Sequence, residues 1–176
     1  MVLSPLEVFS LLKKDEIFLQ WKKNHPQCYL SHFFLPLLPD FVPRGNWEIG
    51  FFNPEDEKIT IFALLEKGDF AIKPADEVFK EKATRIEELK MDSVKVGFEQ
   101  VQQAFAENGA ELFPQEVLGN GFLTLQCLSG VTRWNVNFMT QTFKFAQLQV
   151  DAESGDIIGH GLINFIDRVQ KGKSSG

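Results

Sequence analysis

The segment WEIGFFNPEDEKITIFALLEKGD, residues 47–69, returns in altered form as WNVNFMTQTFKFAQLQVDAESGD, residues 134–156. The two segments align without a gap at an offset of 87 residues, which is 134 minus 47. Chance would give about one or two identities in so short a window, fewer than are found. The identical pairs are Trp47 with Trp134, Phe51 with Phe138, Glu66 with Glu153, Gly68 with Gly155 and Asp69 with Asp156. We infer a duplicated supersecondary unit, which determines the architecture but not an activity.

The length of the chain is consistent with this duplication. A chain of 176 residues makes one ordinary domain or two small ones, and it is long enough to bury a hydrophobic core. We predict two tandem units that pack on each other, joined by a charged segment interpreted as a solvated linker. The predicted boundaries are 1–73 for the first unit, 74–92 for the linker, 93–170 for the second unit and 171–176 for a flexible tail.

Helix signals open both units. Ser4 is suited to cap a helix, Pro5 to stand at its first position and Glu7 to close a capping box. The apolar face does not continue through Lys13, so two short helices are predicted in the first unit. In the second unit, Gly109 is predicted to end a single helix. The predicted helices span residues 5–12, 15–24 and 97–108.

Strand signals follow the helices in each unit. An aromatic and aliphatic run over 27–35 predicts a first strand, and alternation on both sides of the turn at 53–56 predicts a hairpin. The second unit repeats this pattern, with 119–121 (Gly-Asn-Gly) predicted as a turn. Each unit is therefore predicted to hold helix and three antiparallel strands, an α+β arrangement. The stretch 156–167 is predicted to add one more strand, or a strand and a short helix.

The most specific motif is VDAESGDII, residues 150–158. The Asp151 carboxylate is placed to accept hydrogen bonds from the turn amides that follow it, and Gly155 supplies the left-handed conformation. Together with the segment from Trp134 to Phe138 and the alternating strand that follows, this motif resembles the PepSY domain family, best known in the propeptides of secreted metallopeptidases. The resemblance covers about the last half of the chain and reaches the first half through the repeat, where Leu64 replaces the turn aspartate.

The resemblance implies a fold and a binding role. It implies PepSY-like or cystatin-like units, in which Trp134, Asp151 and Gly155 are structural residues. PepSY domains are thought to restrain or bind other proteins, often peptidases. We therefore expect a non-catalytic interaction or regulatory module that binds a protein partner, with a peptidase as one candidate.

Charge and cysteine content exclude several classes of protein. The 18 Lys and Arg against 24 Asp and Glu leave a net charge of −6, and no basic block is present that would neutralise a run of phosphates. We expect neither a nucleic-acid partner nor a membrane span, and the absence of a signal-peptide pattern in residues 1–16 predicts a cytoplasmic protein. Cys28 and Cys127 have no CxxC spacing and are interpreted as buried apolar residues, not a disulfide or zinc site.

The histidines offer little chemistry. His25, His32 and His160 form no HxH or HExxH motif. His25 is interpreted as a helix-end residue. A strand would bring Ser31 or Cys28, as a nucleophile, near His32, as its base. No third group that would orient the histidine is evident. The preferred interpretation of His32 is therefore a hydrogen-bonded histidine within a sheet.

The sequence signals for metal and phosphate sites are equally weak. His160 with Asp151 and Asp156 would form a loose metal site, but turn carboxylates are more often solvated. The acidic run 55–57 lacks the spaced ligands of a calcium loop, and 119–121 lacks the Lys-Ser or Lys-Thr of a phosphate loop. We therefore predict no catalytic, cofactor-binding or metal-binding residue and no cofactor.

The aromatic content points to burial. The chain has 18 Phe and a single Tyr, which predicts a Phe-rich core. Adjacent phenylalanines at 33–34 and 51–52 would point to opposite faces of a strand, so one of each pair must be covered by a helix, the other unit or another subunit. Two alternatives therefore stay open. One is a small apolar-ligand binder or an enzyme with a cavity between helix and sheet, and the other is a self-associating structural protein that forms a homodimer.

Overall fold

A computed structural model describes residues 1–77 and 85–164, and the side chains of 74–77 are left out of the description. In these ranges the chain has an α+β fold with three α-helices and eight strands, so the predicted class is confirmed. The helices are α1 (Pro5–Leu12), α2 (Glu16–Asn24) and α3 (Phe98–Leu112). The strands are β1 (Tyr29–Leu37), β2 (Glu48–Asn53), β3 (Lys58–Leu64), β4 (Phe70–Glu77), β5 (Leu118–Leu128), β6 (Val131–Thr140), β7 (Lys144–Asp151) and β8 (Ile157–Asn164).

All eight strands belong to one antiparallel sheet. Their order is β4-β3-β2-β1-β5-β6-β7-β8, so each run of four consecutive strands forms a meander and the two runs meet at β1 and β5. At that junction Phe33 pairs with Leu125 and Leu35 with Leu123. The two halves of the chain are thus joined by main-chain hydrogen bonds within a single sheet.

Local capping explains where the first helices begin. The Ser4 amide donates to the Glu7 carboxylate at 2.7 Å and the Glu7 amide to the Ser4 hydroxyl at 3.2 Å, which completes the predicted capping box. Asp15 caps α2 by accepting from the Ile17 amide at 2.9 Å. Because Asp15 starts a new helix, the break predicted after residue 12 is confirmed.

Helix α3 is longer than predicted. It continues through Gly109 to Leu112, whereas the sequence predicted an end at 108. The amide of Phe113 donates to the Gly109 carbonyl at 2.9 Å, and the buried Phe113 ring packs against Phe105 with centroids 6.2 Å apart. Burial of that ring outweighs the glycine stop signal, which costs only about 1 kcal/mol within a helix.

Two strand predictions were wrong. The 119–121 segment is not a turn but part of β5, where a Cβ on Gly121 would lie 2.2 Å from the Asn137 carbonyl oxygen, so glycine allows β6 to approach. The first half also has four strands instead of three. In the first half β4 extends into the segment 74–92 predicted as a linker, and Pro74 is tolerated there because no described strand pairs with the outer side of β4.

The C-terminal prediction is only partly covered by the description. The strand expected within 156–167 is present as β8. The predicted tail 171–176 and the remainder of the second unit beyond residue 164 lie outside the described residues. In the described part of the chain no helix combines the length and apolar character needed to cross a membrane.

Both repeat tryptophans anchor a helix to the sheet. The Trp47 indole N–H donates to the Leu3 carbonyl at 2.8 Å, and that of Trp134 donates to the Val96 carbonyl at 2.9 Å. Leu3 and Val96 immediately precede the N-caps of α1 and α3. The two indoles are themselves neighbours, with ring centroids 6.2 Å apart, and both are buried in the shared core.

We predict that the indole hydrogen bonds contribute strongly to stability. Trp134→Phe should lower the free energy of unfolding by about 2–4 kcal/mol, because it leaves the Val96 carbonyl without its partner and removes buried volume. Trp21→Phe is the matched control and should cost about 1 kcal/mol, since the ring stacked on Phe18 is retained. Urea denaturation measures both values, and equal losses in the two variants would contradict the assignment.

Candidate functional site

The sheet face opposite the helices, called the open face below, carries the candidate site. On the other face, residues such as Leu123, Val136 and Leu148 share one core cluster with the buried residues of all three helices. Strand register then assigns the alternate residues to the open face. They include His32, Phe34, Glu48, Phe122, Thr124, Gln126, Arg133, Asn135, Asn137, Phe145, Gln147 and Gln149.

Polar side chains on β6 and β7 form a hydrogen-bonded chain across the open face. Arg133 Nη1 donates to Gln149 Oε1 at 3.2 Å, Gln149 Nε2 to Gln147 Oε1 at 3.4 Å, and Gln147 Nε2 to Asn137 Oδ1 at 3.0 Å. Beside this chain, Asn135 Nδ2 donates to the hydroxyl of Thr124, 3.4 Å away. The amide groups are therefore held in fixed orientations before any ligand or partner arrives.

The arginine at the start of this chain is held from two sides. Arg133 Nη2 donates to the Leu128 carbonyl at 3.0 Å, while Nη1 is bound to Gln149. Its Nε is buried and has no hydrogen-bond partner among the described residues. Hydrogen bonds to two acceptors, the Leu128 carbonyl and Gln149 Oε1, orient the guanidinium plane, so Arg133 is a rigid cation at this end of the open face.

An aromatic row lies beside the amide chain. Phe34 of β1 stacks on Phe122 of β5 with centroids 5.5 Å apart, and Phe122 meets Phe145 of β7 edge to face at 6.2 Å. The adjacent Phe33 points the other way and is fully buried in the core. The expectation that such pairs face opposite sides of the sheet is thus confirmed at 33–34, and the row crosses the β1–β5 junction.

Glycines on two strands make room for side chains on the open face. A Cβ on Gly159 would lie 2.8 Å from Gln149 Oε1, and a Cβ on Gly50 would lie 2.2 Å from Cε1 of the His32 ring. The glycines let Gln149 and His32 lie flat along the neighbouring strand. Neither close approach could be predicted from spacing alone, because it depends on which strands are neighbours.

His32 sits in the sheet as a hydrogen-bonded histidine. Its Nδ1 lies 2.9 Å from Ser31 Oγ, and this hydroxyl donates to the Gly50 carbonyl at 3.0 Å. Since a hydroxyl has one proton, Nδ1 must donate to Ser31 Oγ, which is the reverse of what a base activating a nucleophile requires. Ser31 is also buried. The geometry therefore supports the preferred interpretation of His32 over the nucleophile and base alternative.

Burial lowers the pKa of His32 to about 4, and the neighbouring Glu48 carboxylate opposes this shift. The imidazole is therefore neutral at physiological pH. Glu48 is in turn paired with the Lys73 ammonium across β2, β3 and β4. In the part of the open face formed by the first half of the chain, the neutral His32 imidazole therefore lies beside the Glu48–Lys73 ion pair.

The turn motif after β7 acts as predicted. Asp151 Oδ1 accepts from the Glu153 amide at 2.8 Å and from the Ser154 amide at 3.0 Å, and Gly155 has a φ of 83°. The Ser154 and Glu153 amides lower the pKa of the Asp151 carboxyl. This carboxylate is therefore committed to the turn.

The remaining candidate residues do not assemble into a site. His160 lies in β8 opposite Leu148, His25 ends α2 with Nδ1 2.8 Å from the Trp21 carbonyl, and the acidic run 55–57 forms an exposed turn. Within the described residues, no group of three or more His, Cys, Asp or Glu side chains is placed to hold a metal ion.

An open cleft of about 470 Å³ lies between the helices and the sheet. Its apolar lining includes Phe9, Phe18, Leu30 and Met91. Cys28 also lines it, and burial raises the pKa of this thiol, which keeps it protonated. Cys127 lies elsewhere, within 3.9 Å of the Glu87 carboxylate, and both cysteines are free.

Comparison with known proteins yields a likeness of fold. No family model matches the chain, and no curated protein matches its sequence. The structure is similar to the crystal structure of a "putative lipoprotein" from Clostridium difficile 630, with a TM-score of 0.50 and 10% sequence identity. The alignment covers 84% of this chain and 90% of that chain. At this identity the likeness concerns the fold alone.

We predict that His32 makes stability depend on pH. The unfolded chain binds a proton near pH 6.5 and the folded chain only near pH 4, so the free energy of unfolding should fall as pH drops through this window. The loss should reach up to about 3 kcal/mol. His32→Phe should remove this component while retaining a ring over Gly50.

Urea titrations at several pH values measure the effect. His160→Phe is the matched control, because it removes an imidazole from an exposed position on β8. A pH dependence that is the same in wild type and in His32→Phe would contradict the prediction.

Proposed function

We propose that this protein is a non-catalytic binding module of tandem PepSY-like build, whose open face binds a protein partner. The observation that carries the proposal is the open face itself. It combines an ordered amide chain with an aromatic row on the side of the sheet away from the helices.

The tandem build is supported by position as well as by sequence. At the offset of 87 residues, β4 (Phe70–Glu77) falls on β8 (Ile157–Asn164) from end to end. Trp47 and Trp134 each bind the carbonyl that precedes the first helix of their half. Equivalent residues in equivalent contacts are expected when a unit has been copied.

The chemistry of the open face favours a protein over other partners. Protein interfaces are enriched in aromatic residues and arginine and depleted of lysine and carboxylates at their centre. The central strands present Phe34, Phe122 and Arg133 among neutral amides, whereas a nucleic acid would require a basic surface. Eight strands at about 4.8 Å spacing make a sheet roughly 30–35 Å wide, sufficient for a standard interface.

The chemical groups on the open face are suited to recognition. His32 is a neutral ring whose Nδ1 is bound to Ser31, and the Ser31 hydroxyl is engaged by Gly50. The amide side chains can donate and accept hydrogen bonds but are not acids or bases. The PepSY resemblance makes a peptidase one candidate for the partner. The cytoplasmic location stays a prediction.

Capture of a partner with matched variants tests the proposal. Immobilised wild-type protein should retain a partner in a stoichiometric ratio. Thr124→Arg, in the middle of the open face, should reduce the retained partner at least tenfold, because it inserts a bulky charge into the amide and aromatic surface. Leu19→Arg, at an exposed position on α2, should retain it fully.

Three results would count against the proposal: recovery of the bare protein, equal retention by both variants, or loss in both. Far-ultraviolet circular dichroism of the variants verifies that each has folded.

The cleft beside Cys28 favours a second candidate, a small apolar-ligand binder. Its volume of about 470 Å³ lies within the range of ligand sites. We expect dodecanoate to bind there if this function is correct, and Met91→Trp, which narrows the cleft, to abolish the binding. Leu19→Trp, at an exposed position that does not line the cleft, is the control. Calorimetric titration that detects no heat of binding in the wild type would remove this candidate.

A further inference from the structure

The outer edge of β8 differs from the opposite edge of the sheet. β8 ends the sheet, and no strand in the described ranges pairs with its outer side. Its sequence, IIGHGLIN, has no proline and no Asp, Glu, Lys or Arg, whereas β4 has Lys73 and Pro74 in its middle. Charge and proline are common devices that stop an edge strand from pairing with another chain. β4 has both and β8 has neither.

Strand pairing determines which groups of β8 point outward. The amide of Ala152, directly after β7, donates to the Thr132 carbonyl of β6. The even-numbered residues of β7 therefore direct their main-chain groups towards β6. In an antiparallel ladder, alternate residues direct both main-chain groups to the same side. Odd-numbered residues of β7 therefore bond to β8, at Gly159 and Gly161. The residues of β8 left with outward N–H and C=O groups are Ile158, His160 and Leu162.

The sequence of β8 is nearly palindromic about His160. Residues 158–162 read IGHGL, so a second copy running antiparallel places Ile158 opposite Leu162, Gly159 opposite Gly161 and His160 opposite itself. We propose that two copies of this chain pair through β8 in this register, around a two-fold axis at His160. The contact is isologous, so it closes a dimer and does not propagate into a fibre.

Both main-chain and side-chain groups support this pairing. The outward groups of His160 and Leu162 lie in the regular part of β8, and together with those of Ile158, at the bulge, they would form up to about six hydrogen bonds between the copies. Ile158 and Leu162 are each 42% exposed, and the pairing would cover each with the other. The register shift in β8 lies between Ile157 and Gly159, so Ile158 is the extra residue of a bulge at the start of the strand, and the pairing with β7 is regular from Gly159 onward.

Mass measurements over a range of concentrations test the dimer. One strand edge is a small interface, so we expect a concentration-dependent equilibrium and not a permanent dimer. Sedimentation equilibrium between about 1 and 500 µM should show the mass rising from the monomer value of 20.0 kDa towards twice that value. A monomer mass over the whole range would overturn the proposal.

A charge pair tests the register. Ile158→Lys with Leu162→Lys places like charges opposite each other across the axis, and should weaken dimerisation at least tenfold. Ile158→Lys with Leu162→Glu places opposite charges there, and should retain the dimer. Ile72→Lys, at a 43% exposed position on β4, is the matched control and should leave dimerisation unchanged.

Loss of the dimer in both double variants, or retention in both, would overturn the proposed register. Circular dichroism verifies the fold of each variant. The proposal is independent of the proposed function, because Thr124→Arg acts on the open face and leaves β8 untouched. Failure of partner capture and failure of dimerisation are therefore separate results.

Discussion

The antiparallel pairing of β1 with β5 is the contact on which the rest of the structure depends. It joins two four-stranded meanders into one sheet, with Phe33 opposite Leu125 at the junction. Because all helices pack on one side of that sheet, a single core forms, and Trp47 meets Trp134 within it. The same pairing leaves the other side as a continuous surface of twice the width, which neither half would possess alone.

That open surface is ordered because its polar groups satisfy one another. Asn135 and Asn137 are only 4% and 3% exposed, and burying an amide without partners would cost about 1–3 kcal/mol. Gln147 and Thr124 supply hydrogen bonds to them. The absence of a side chain at Gly159 permits the Gln149 side chain to lie over β8. A surface built in this way has fixed donors and acceptors, which favours selective binding because little side-chain entropy remains to be lost.

Local signals in the sequence were reliable where the deciding contact is also local. The capping residues Ser4 and Asp15 act on amides two or three positions away, and Asp151 does the same in its turn. Local signals failed where the deciding contact joins residues that are far apart along the chain. Gly109 did not end α3 because Phe113 is buried, and the 119–121 segment became a strand because β6 lies against it. A glycine that permits close packing has the same sequence signature as one that permits a turn.

Taken by itself, the amino-acid sequence determined the α+β class, the helix starts and the Asp151 turn, since these follow from periodicity and from short-range hydrogen bonds. It also indicated which residues of one half correspond to which residues of the other, at an offset of 87 residues. It also pointed away from catalytic and metal motifs. Only the tertiary structure decided that the halves share one sheet, that His32 lies over Gly50, and that an amide chain and an aromatic row meet on one face. These features depend on strand order, and strand order is set by contacts between residues far apart along the chain.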